Sequence, residues 1–533
     1  MRRELFQRIS KEFKDRILAI SFFLVLILVG LVNFRKYGVS WEAPALRLNG
    51  GNALIYIADL LRLDIVPAKY RQFAPMGENG MADHGVAYDV PLVAFEAIFG
   101  IQDPMSIYQF RTLVNFLVFV IGTLSVYLLV NRRLSSNKLA LLASLFFVLS
   151  PRIFAAGFYS PSDMVFTCLF ALGVNLSIRF MEKPTWKRAV MAGAVCGYAT
   201  DIRLLGIVIF PLICLSYILL KFDKRFVEKI SLRPLAAYLA TGIFSIYLFF
   251  PYLWEDPIRR FIEVFSSLSK YNWESRNLYF GELIPANDLP WHYIPVWITI
   301  TTPILYVVLF IFGAFLITLD FCKKRKFNFI AVQDILFLGL IIGPIFMIIV
   351  LESVLYDTWR HLFFVYPFII VIAAIGWSRI STKSDSKKYF SAIKIGVTSI
   401  LLFQTALWMY SNNPNQNLYF NALAGNKSLE QKWEMDYLGL SNKEGLNYIL
   451  SESSNRKVTV AVVSFTAFDM SLKALPAKYL DKVIVVPIEE KPDFIVNNFR
   501  LREFEFLGEP GYKLWKEFTV DDSKYLEIWK RSS

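Results

Sequence analysis

The residues best suited to chemistry are a few charged groups set against an otherwise apolar sequence. Glu42 lies in Gly38-Val39-Ser40-Trp41-Glu42-Ala43-Pro44, just after the first membrane-length apolar run. Asp89 follows in His84-Gly85-Val86-Ala87-Tyr88-Asp89, and Asp163 opens a later apolar run. Arg152 sits near the end of one such run, Arg203 in a turn between two others, and Arg360-His361 begins another. A positioned carboxylate can take the proton of a hydroxyl and turn it into a nucleophile, a gain of about 10²–10⁴ in rate. A fixed guanidinium can hold a phosphate and stabilise the charge that grows on it as it leaves. Each group also has an ordinary role. Glu42 could be an interfacial acid, Asp89 a surface acid, and Asp163 an acid at the positive end of a helix dipole. The arginines could be snorkelling to lipid head groups.

The elements that must position these groups are membrane helices. The chain has 533 residues, of which 55% are hydrophobic and 16% aromatic. Soluble domains do not carry that apolar load. The net charge of +13 is concentrated in short loops between apolar runs, the positive-inside pattern rather than a nucleic-acid surface. Residues 1–16 read as a basic surface helix, and 17–34 as the first span. Further spans are expected at 110–130, 139–157, 163–180, 188–201, 204–220, 235–253, 294–319, 331–351, 360–377 and 391–411. That makes about eleven spans, with a cytoplasmic N-terminus and the C-terminus outside. In the long outer segment 35–109, residues 52–63 and 86–100 read as interfacial helices. From 412 onward no spanning run remains. Val458–Val463, Lys482–Pro487 and Asp493–Phe499 read as strands, and Lys513–Val520 with Tyr525–Lys530 as a hairpin. The expectation is an α-helical polytopic membrane domain over 1–411 and a small outer α/β domain over 412–533.

This topology puts Glu42, Asp89, Asp163, Arg152, Arg203, Arg360 and His361 on one side, at the rim of the bundle. A transporter would place ionisable groups near the midplane and would show an inverted repeat; neither is found. A rim of charge suits chemistry on a lipid head group whose tail stays in the membrane. The three histidines (His84, His292, His361) lack ligand spacing, so no metal is expected. The four cysteines lie in apolar runs or a basic loop, and no disulfide framework is expected. Trp254, Tyr271, Trp273, Tyr279, Trp291 and Tyr293 cluster in the outer segment 254–293, as an interfacial belt does.

Several of these stretches carry a resemblance. Gly38–Pro44 resembles the G-x-S-W-D-E element of membrane glycosyltransferases related to the protein O-mannosyltransferases and the lipid A aminoarabinose transferase. Ser150-Pro151-Arg152-Ile153-Phe154, running into Phe158-Tyr159-Ser160-Pro161-Ser162-Asp163, resembles their S-P-R-I-F…F-Y-N-P-K-D element. Pro251–Pro257, Pro290–Tyr293, Arg360-His361 and Asn417–Asn421 match further elements of one branch, in order. The resemblance implies a GT-C fold and an inverting transfer of a sugar from a polyprenyl-phosphate donor to a glycan, glycolipid or protein acceptor. It implies a multi-pass protein of the bacterial inner membrane, surrounded by membrane lipids, with no cofactor and no nucleic-acid partner. By resemblance Glu42 is the general base and Asp163 orients the acceptor or assists, with Asp89 a further candidate. Arg203 and Arg360 would hold the donor phosphate, with His361 and Arg152 in support. Two positions depart from the family: Glu42-Ala43 stands for its Asp-Glu pair and Ser160 for its Asn. They keep open a non-catalytic scaffold of the same fold.

Accessibility tags test the orientation. Tags at Ser135, Lys324 and Ser384 should be cytoplasmic, and tags in 412–533 external. An externally accessible tag at Lys324 would invert the scheme.

Overall fold

In hydrocarbon every backbone polar group must be satisfied within its own segment, so the apolar runs become helices. The computed structural model describes residues 2–63, 84–226, 230–269, 275–324, 327–380, 387–453, 456–466, 468–473, 475–500 and 508–532. Tyr271 and Trp273 of the aromatic cluster lie outside them. Among the described residues nine helices are long and apolar enough to cross a bilayer: Phe13–Asn33, Pro104–Leu134, Asp163–Glu182, Leu204–Phe222, Leu232–Phe249, Ile304–Lys323, Phe329–Val350, Arg360–Arg379 and Tyr389–Ser411. Asn137–Val148 and Pro151–Tyr159, bent by 70° at their junction, can form a tenth crossing. The expected span at 188–201 is the helix Trp186–Ile202, with 17 residues. That is the short end of what crosses, and it is not one of the nine.

Where helices break, the sequence supplies the reason. The expected span 294–319 is two helices, Tyr293–Thr301 and Ile304–Lys324. Pro303 lacks an N–H and disfavours the helical conformation in the residue before it; Thr302 is extended, at φ −104° and ψ 138°. Asn421 takes the carbonyls left over. Its N–H donates to Ile300 O at 2.8 Å, and its Nδ2 to Thr299 O and Thr302 O at 2.6 Å each. The 70° bend falls at Ser150-Pro151, with Pro151 opening the second helix. The surface helix expected at 1–16 and the first span are one continuous helix, Arg2–Asn33.

The two expected interfacial helices form a hairpin on the face that carries Glu42. Residues 52–63 belong to a longer helix, Ala43–Leu60, which starts directly after Glu42 with Pro44 in its first turn. Residues 86–100 give Asp89–Ile98. Leu54 and Ala58 of one helix bury Val93 of the other. The centre of the bundle is Asp163–Glu182 and Arg360–Arg379, both mostly buried. The peripheral spans Phe13–Asn33 and Tyr389–Ser411 leave apolar side chains such as Leu24 and Phe403 exposed, as lipid contact requires.

Beyond 412 the chain first runs as short turns packed on the bundle, then as the helix Asn442–Glu452 and a sheet. The strands are β1 (Arg276–Tyr279) and β2 (Glu282–Pro285), a hairpin not anticipated from sequence, followed by β3 (Val458–Val462), β4 (Val483–Val485), β5 (Phe494–Asn497), β6 (Tyr512–Val520) and β7 (Ser523–Arg531). The last five form one mixed sheet in the order β4-β3-β5-β7-β6. β3 runs parallel to β4 and β5, while β7 is antiparallel to β5 and β6. Asp521 and Asp522, both at positive φ, make the two-residue turn between β6 and β7.

Ile304–Lys324 and Tyr366–Arg379 approach backbone to backbone at a pair of glycines. A Cβ on Gly313 would lie 2.3 Å from Ile372 O, and one on Gly376 2.3 Å from Leu309 O. Gly376→Val should therefore separate the helices and lower stability by about 1–3 kcal/mol. Gly343→Ala, with open space around it, should be near neutral. Thermal unfolding in detergent would show the contrast, and equal midpoints would contradict it.

Candidate active site

Four element ends meet beside the interfacial hairpin. Glu42 immediately precedes the helix Ala43–Leu60 and Asp163 is the first residue of Asp163–Glu182. Neither carboxylate is used as a helix cap. Arg203 follows Trp186–Ile202 in an extended conformation, and Arg360 opens the turn Arg360–Val365. Arg360 Nη1 reaches Glu42 Oε2 and Asp163 Oδ2, both at 2.8 Å. Arg203 Nη2 pairs with Asp163 Oδ1 at 2.5 Å and donates to Ser162 Oγ at 2.9 Å. The position of Asp163 at a helix N-terminus suits its negative charge.

The network extends to two residues that sequence reasoning missed. Arg360 Nη2 pairs with Asp357 Oδ2 at 3.1 Å, and Asp357 Oδ1 with Arg500 Nη2 at 2.7 Å. Three guanidiniums thus alternate with three carboxylates, and the buried charges balance, as a low-dielectric site demands. Asp357 and Thr358 hold left-handed backbones, φ 56° and 67°. That conformation is costly for a β-branched threonine, and the ion pairs of Asp357 and Arg360 on either side hold the turn. Asp357 stands three residues before Arg360, a spacing that could have been noticed. Arg500 lies far along the chain in the sheet domain, with no local signal.

A cavity of about 160 Å³ opens beside this network. Glu42, Arg203 and Arg360 line it together with Trp41, His84, Tyr88, Ser162 and Tyr356. Asp163 sits behind, joined to both arginines. Arg203 is the more accessible guanidinium, 22% exposed against 3% for Arg360. Glu42 commits Oε2 to Arg360, while Oε1 has no hydrogen-bond partner among the described residues. Burial raises the Glu42 carboxyl above the ordinary carboxylate range; Arg360 pulls it back and Asp163 pushes it further up. The loop that carries His84 is pinned: Asn49 Nδ2 donates to His84 O at 3.0 Å, Ala87 N–H to Asp201 Oδ2 at 2.7 Å, and Tyr198 OH to Ala87 O at 2.8 Å.

Among the described residues the other sequence candidates form no ion pair with this network. Asp89 borders the cavity, but its carboxylate pairs with Arg111 Nη1 at 2.6 Å. Arg111 also binds Glu96 at 2.6 Å, which in turn holds Arg47 at 2.8 Å. This second buried cluster ties the interfacial hairpin to Pro104–Leu134. Arg152 is buried; its Nε donates to Tyr419 O at 2.9 Å and its guanidinium lies 4.3 Å from the Phe420 ring. It joins two of the recognised motifs to each other. His361 packs edge-on against Tyr356, with ring centroids 4.6 Å apart. In the aromatic cluster Tyr279 and Tyr293 are buried and Trp291 is exposed. Among the described residues no three His, Cys, Asp or Glu side chains are grouped to hold a metal.

Residues 94–254 match the family model described as dolichyl-phosphate-mannose-protein mannosyltransferase. The match covers less than a third of the chain, which is similar to that family over this stretch. The description of that family names a glycosyltransferase that uses a polyprenyl-phosphate sugar. The matched segment contains Arg152, Asp163 and Arg203, while Glu42 and Arg360 fall outside it. No curated protein matches the chain in sequence. Solved structures similar to it include ArnT from Cupriavidus metallidurans in the apo state, at 12% identity and TM-score 0.49, covering 96% of this chain and 98% of that one. The same protein bound to undecaprenyl phosphate is similar at 12% identity and TM-score 0.46, over 96% and 97%. The archaeal oligosaccharyltransferase AglB from Archaeoglobus fulgidus, in complex with an inhibitory peptide and a dolichol-phosphate, is similar at 11% identity and TM-score 0.46, over 90% and 69%.

The charge network makes a stability prediction. Arg360→Met leaves Glu42 without its ion-pair partner and Asp163 and Asp357 with one arginine each, and should cost about 3–5 kcal/mol. Arg203→Met leaves Asp163 its bond to Arg360 and acts at a part-exposed position, so it should cost about 1 kcal/mol or less. Unfolding in detergent measures both, and equal losses would contradict the central place given to Arg360.

Proposed function

We propose that the chain transfers a sugar from a polyprenyl-phosphate donor, with inversion, to a hydroxyl-bearing acceptor on the outer face of the membrane. The acceptor is a glycan, a glycolipid or a protein. The orientation that goes with this reading has the N-terminus cytoplasmic and the C-terminus outside, in the bacterial inner membrane. The observation that carries it is the pairing in one rim cavity of a half-committed carboxylate, Glu42, with the accessible guanidinium of Arg203.

The chemistry follows from that pairing. The acceptor hydroxyl attacks the anomeric carbon as the bond from that carbon to the phosphate oxygen breaks. Glu42 Oε1 takes the hydroxyl proton, so the polyprenyl phosphate departs with the bonding pair. Arg203 meets the charge that grows on the phosphate, which favours the transition state over the ground state. Asp163 orients Arg203 and Arg360. With Arg360 largely enclosed by carboxylates, the phosphate role falls mainly to Arg203.

Glu42→Gln should lower turnover by about 10²–10⁴ and leave donor binding nearly unchanged. Arg203→Ala should weaken both. The measurement is release of polyprenyl phosphate from a radiolabelled polyprenyl-phosphate sugar by purified protein in native membrane extract, with donor binding followed separately. Near wild-type transfer by Glu42→Gln would remove Glu42 from the chemistry and favour the scaffold reading.

The pH profile adds a sign. A base works deprotonated, and the Glu42 carboxyl is raised by burial. Activity should therefore fall with acid while an ordinary carboxylate is still ionised. An acid limb at or below the ordinary carboxylate value would contradict the assignment.

A further inference from the structure

The sheet domain reaches the site from behind, at two places. Arg500, three residues past the end of β5, is buried and shares Asp357 with Arg360. Its guanidinium also donates to the Tyr437 carbonyl and lies 5.4 Å from the Trp41 ring, one residue from Glu42. Lys443 Nζ, in the helix Asn442–Glu452, donates to the carbonyls of Arg35 at 2.7 Å, Lys36 at 3.3 Å and Tyr37 at 2.9 Å. Those carbonyls belong to the short link between the first membrane helix and Gly38. Gly38 itself lies so close to the sheet-domain side that a Cβ there would be 2.6 Å from Leu440 O. Tyr37 OH donates to Gln416 Oε1 at 2.8 Å. The link leading to Glu42 is thus held by residues beyond 412 as well as by the bundle, where Tyr37 stacks on Phe158 and Val39 packs on Tyr108.

We propose that the C-terminal domain completes the reaction centre, with Arg500 and Asp357 as positioning residues that orient Arg360 and balance the charge around it at Glu42. The proposal rests on Glu42 being the titrating carboxylate of the site and is independent of which sugar or acceptor is used.

The physical reason is the alternation of charge. Arg360, Asp163, Arg203 and Asp357 act on Glu42 directly. His84, Tyr88, Asp89 and Tyr356 also border its cavity. Arg500 acts one link further out, by neutralising Asp357. Without Arg500, Asp357 draws on Arg360 alone, and Glu42 faces one more uncompensated negative charge. Its carboxyl should then hold a proton to higher pH. Without the charge of Asp357, Arg360 belongs more fully to Glu42 and Asp163, and the Glu42 carboxyl should titrate at lower pH. The two substitutions act in opposite directions, which general loosening of the fold does not do.

The test is an infrared difference titration of the protonated-carboxyl band in the full-length protein in lipid nanodiscs. The Glu42 component is identified by its loss in Glu42→Gln. Arg500→Met should raise the midpoint and Asp357→Asn lower it, each by about one pH unit. The double variant should return close to the wild type, and Arg500→Lys should retain most of the wild-type value. An unmoved midpoint in Arg500→Met, or shifts of the same sign in the two variants, would overturn the proposal. If Arg500→Met does not fold, Asp357→Asn decides: a lower midpoint supports the proposal, an unchanged or higher one overturns it. Because no sugar transfer is measured, an inactive protein leaves this result intact.

Discussion

The guanidinium of Arg360 ties distant stretches of the chain together at one point. It is almost fully buried and touches three carboxylates, Glu42, Asp163 and Asp357. Each of those comes from a different part of the chain, so one side chain fixes the relative placement of the first outer helix, the central helix Asp163–Glu182 and the turn before Arg360–Arg379. Such a centre is stable only as a balanced set. Removing one charge from a buried group leaves another uncompensated, at several kilocalories per mole. The partners at the ends of the row, Arg203 and Arg500, close that balance from opposite sides.

Placing this set at the rim of the bundle serves two demands together. The charges stay out of the hydrocarbon centre, where they are most costly. They also sit where a lipid-linked phosphate can arrive with its tail still in the bilayer. The accessible edge of the row is Arg203 and the uncommitted carboxylate oxygen is the buried Glu42 Oε1, and the two residues line one cavity. The second cluster pairs Asp89 and Glu96 with Arg111 and Glu96 with Arg47, and so ties Ala43–Leu60 and Asp89–Ile98 to Pro104–Leu134.

Much of this was legible in the sequence because membrane helices announce themselves by length and charge. The helices expected around 110–130, 163–180, 204–220 and 331–351 all appear, and the sheet strands were placed within a residue or two. Glu42, Asp163, Arg203 and Arg360 stood out as charges at the ends of apolar runs, and they meet. Hydropathy alone could not foresee the break at Pro303, because Asn421, over a hundred residues later, is what satisfies the freed carbonyls. Nor could it separate Asp89 and Arg152 from the site: they share its side of the bundle, but Arg111 and the 417–421 turn take them up. Arg500 was invisible for the same reason, since its partner is tertiary.

If Arg203 receives the leaving group, a polyprenyl phosphate must seat itself beside it. A structure of the full-length protein determined with polyprenyl phosphate bound tests this most directly. The phosphate should lie within hydrogen-bonding distance of Arg203, in the cavity lined by Trp41, Glu42 and Tyr356, with the lipid tail running out between the spans. A phosphate seated in the separate cleft formed by residues 286–294 and 348–355, away from Arg203, would contradict it.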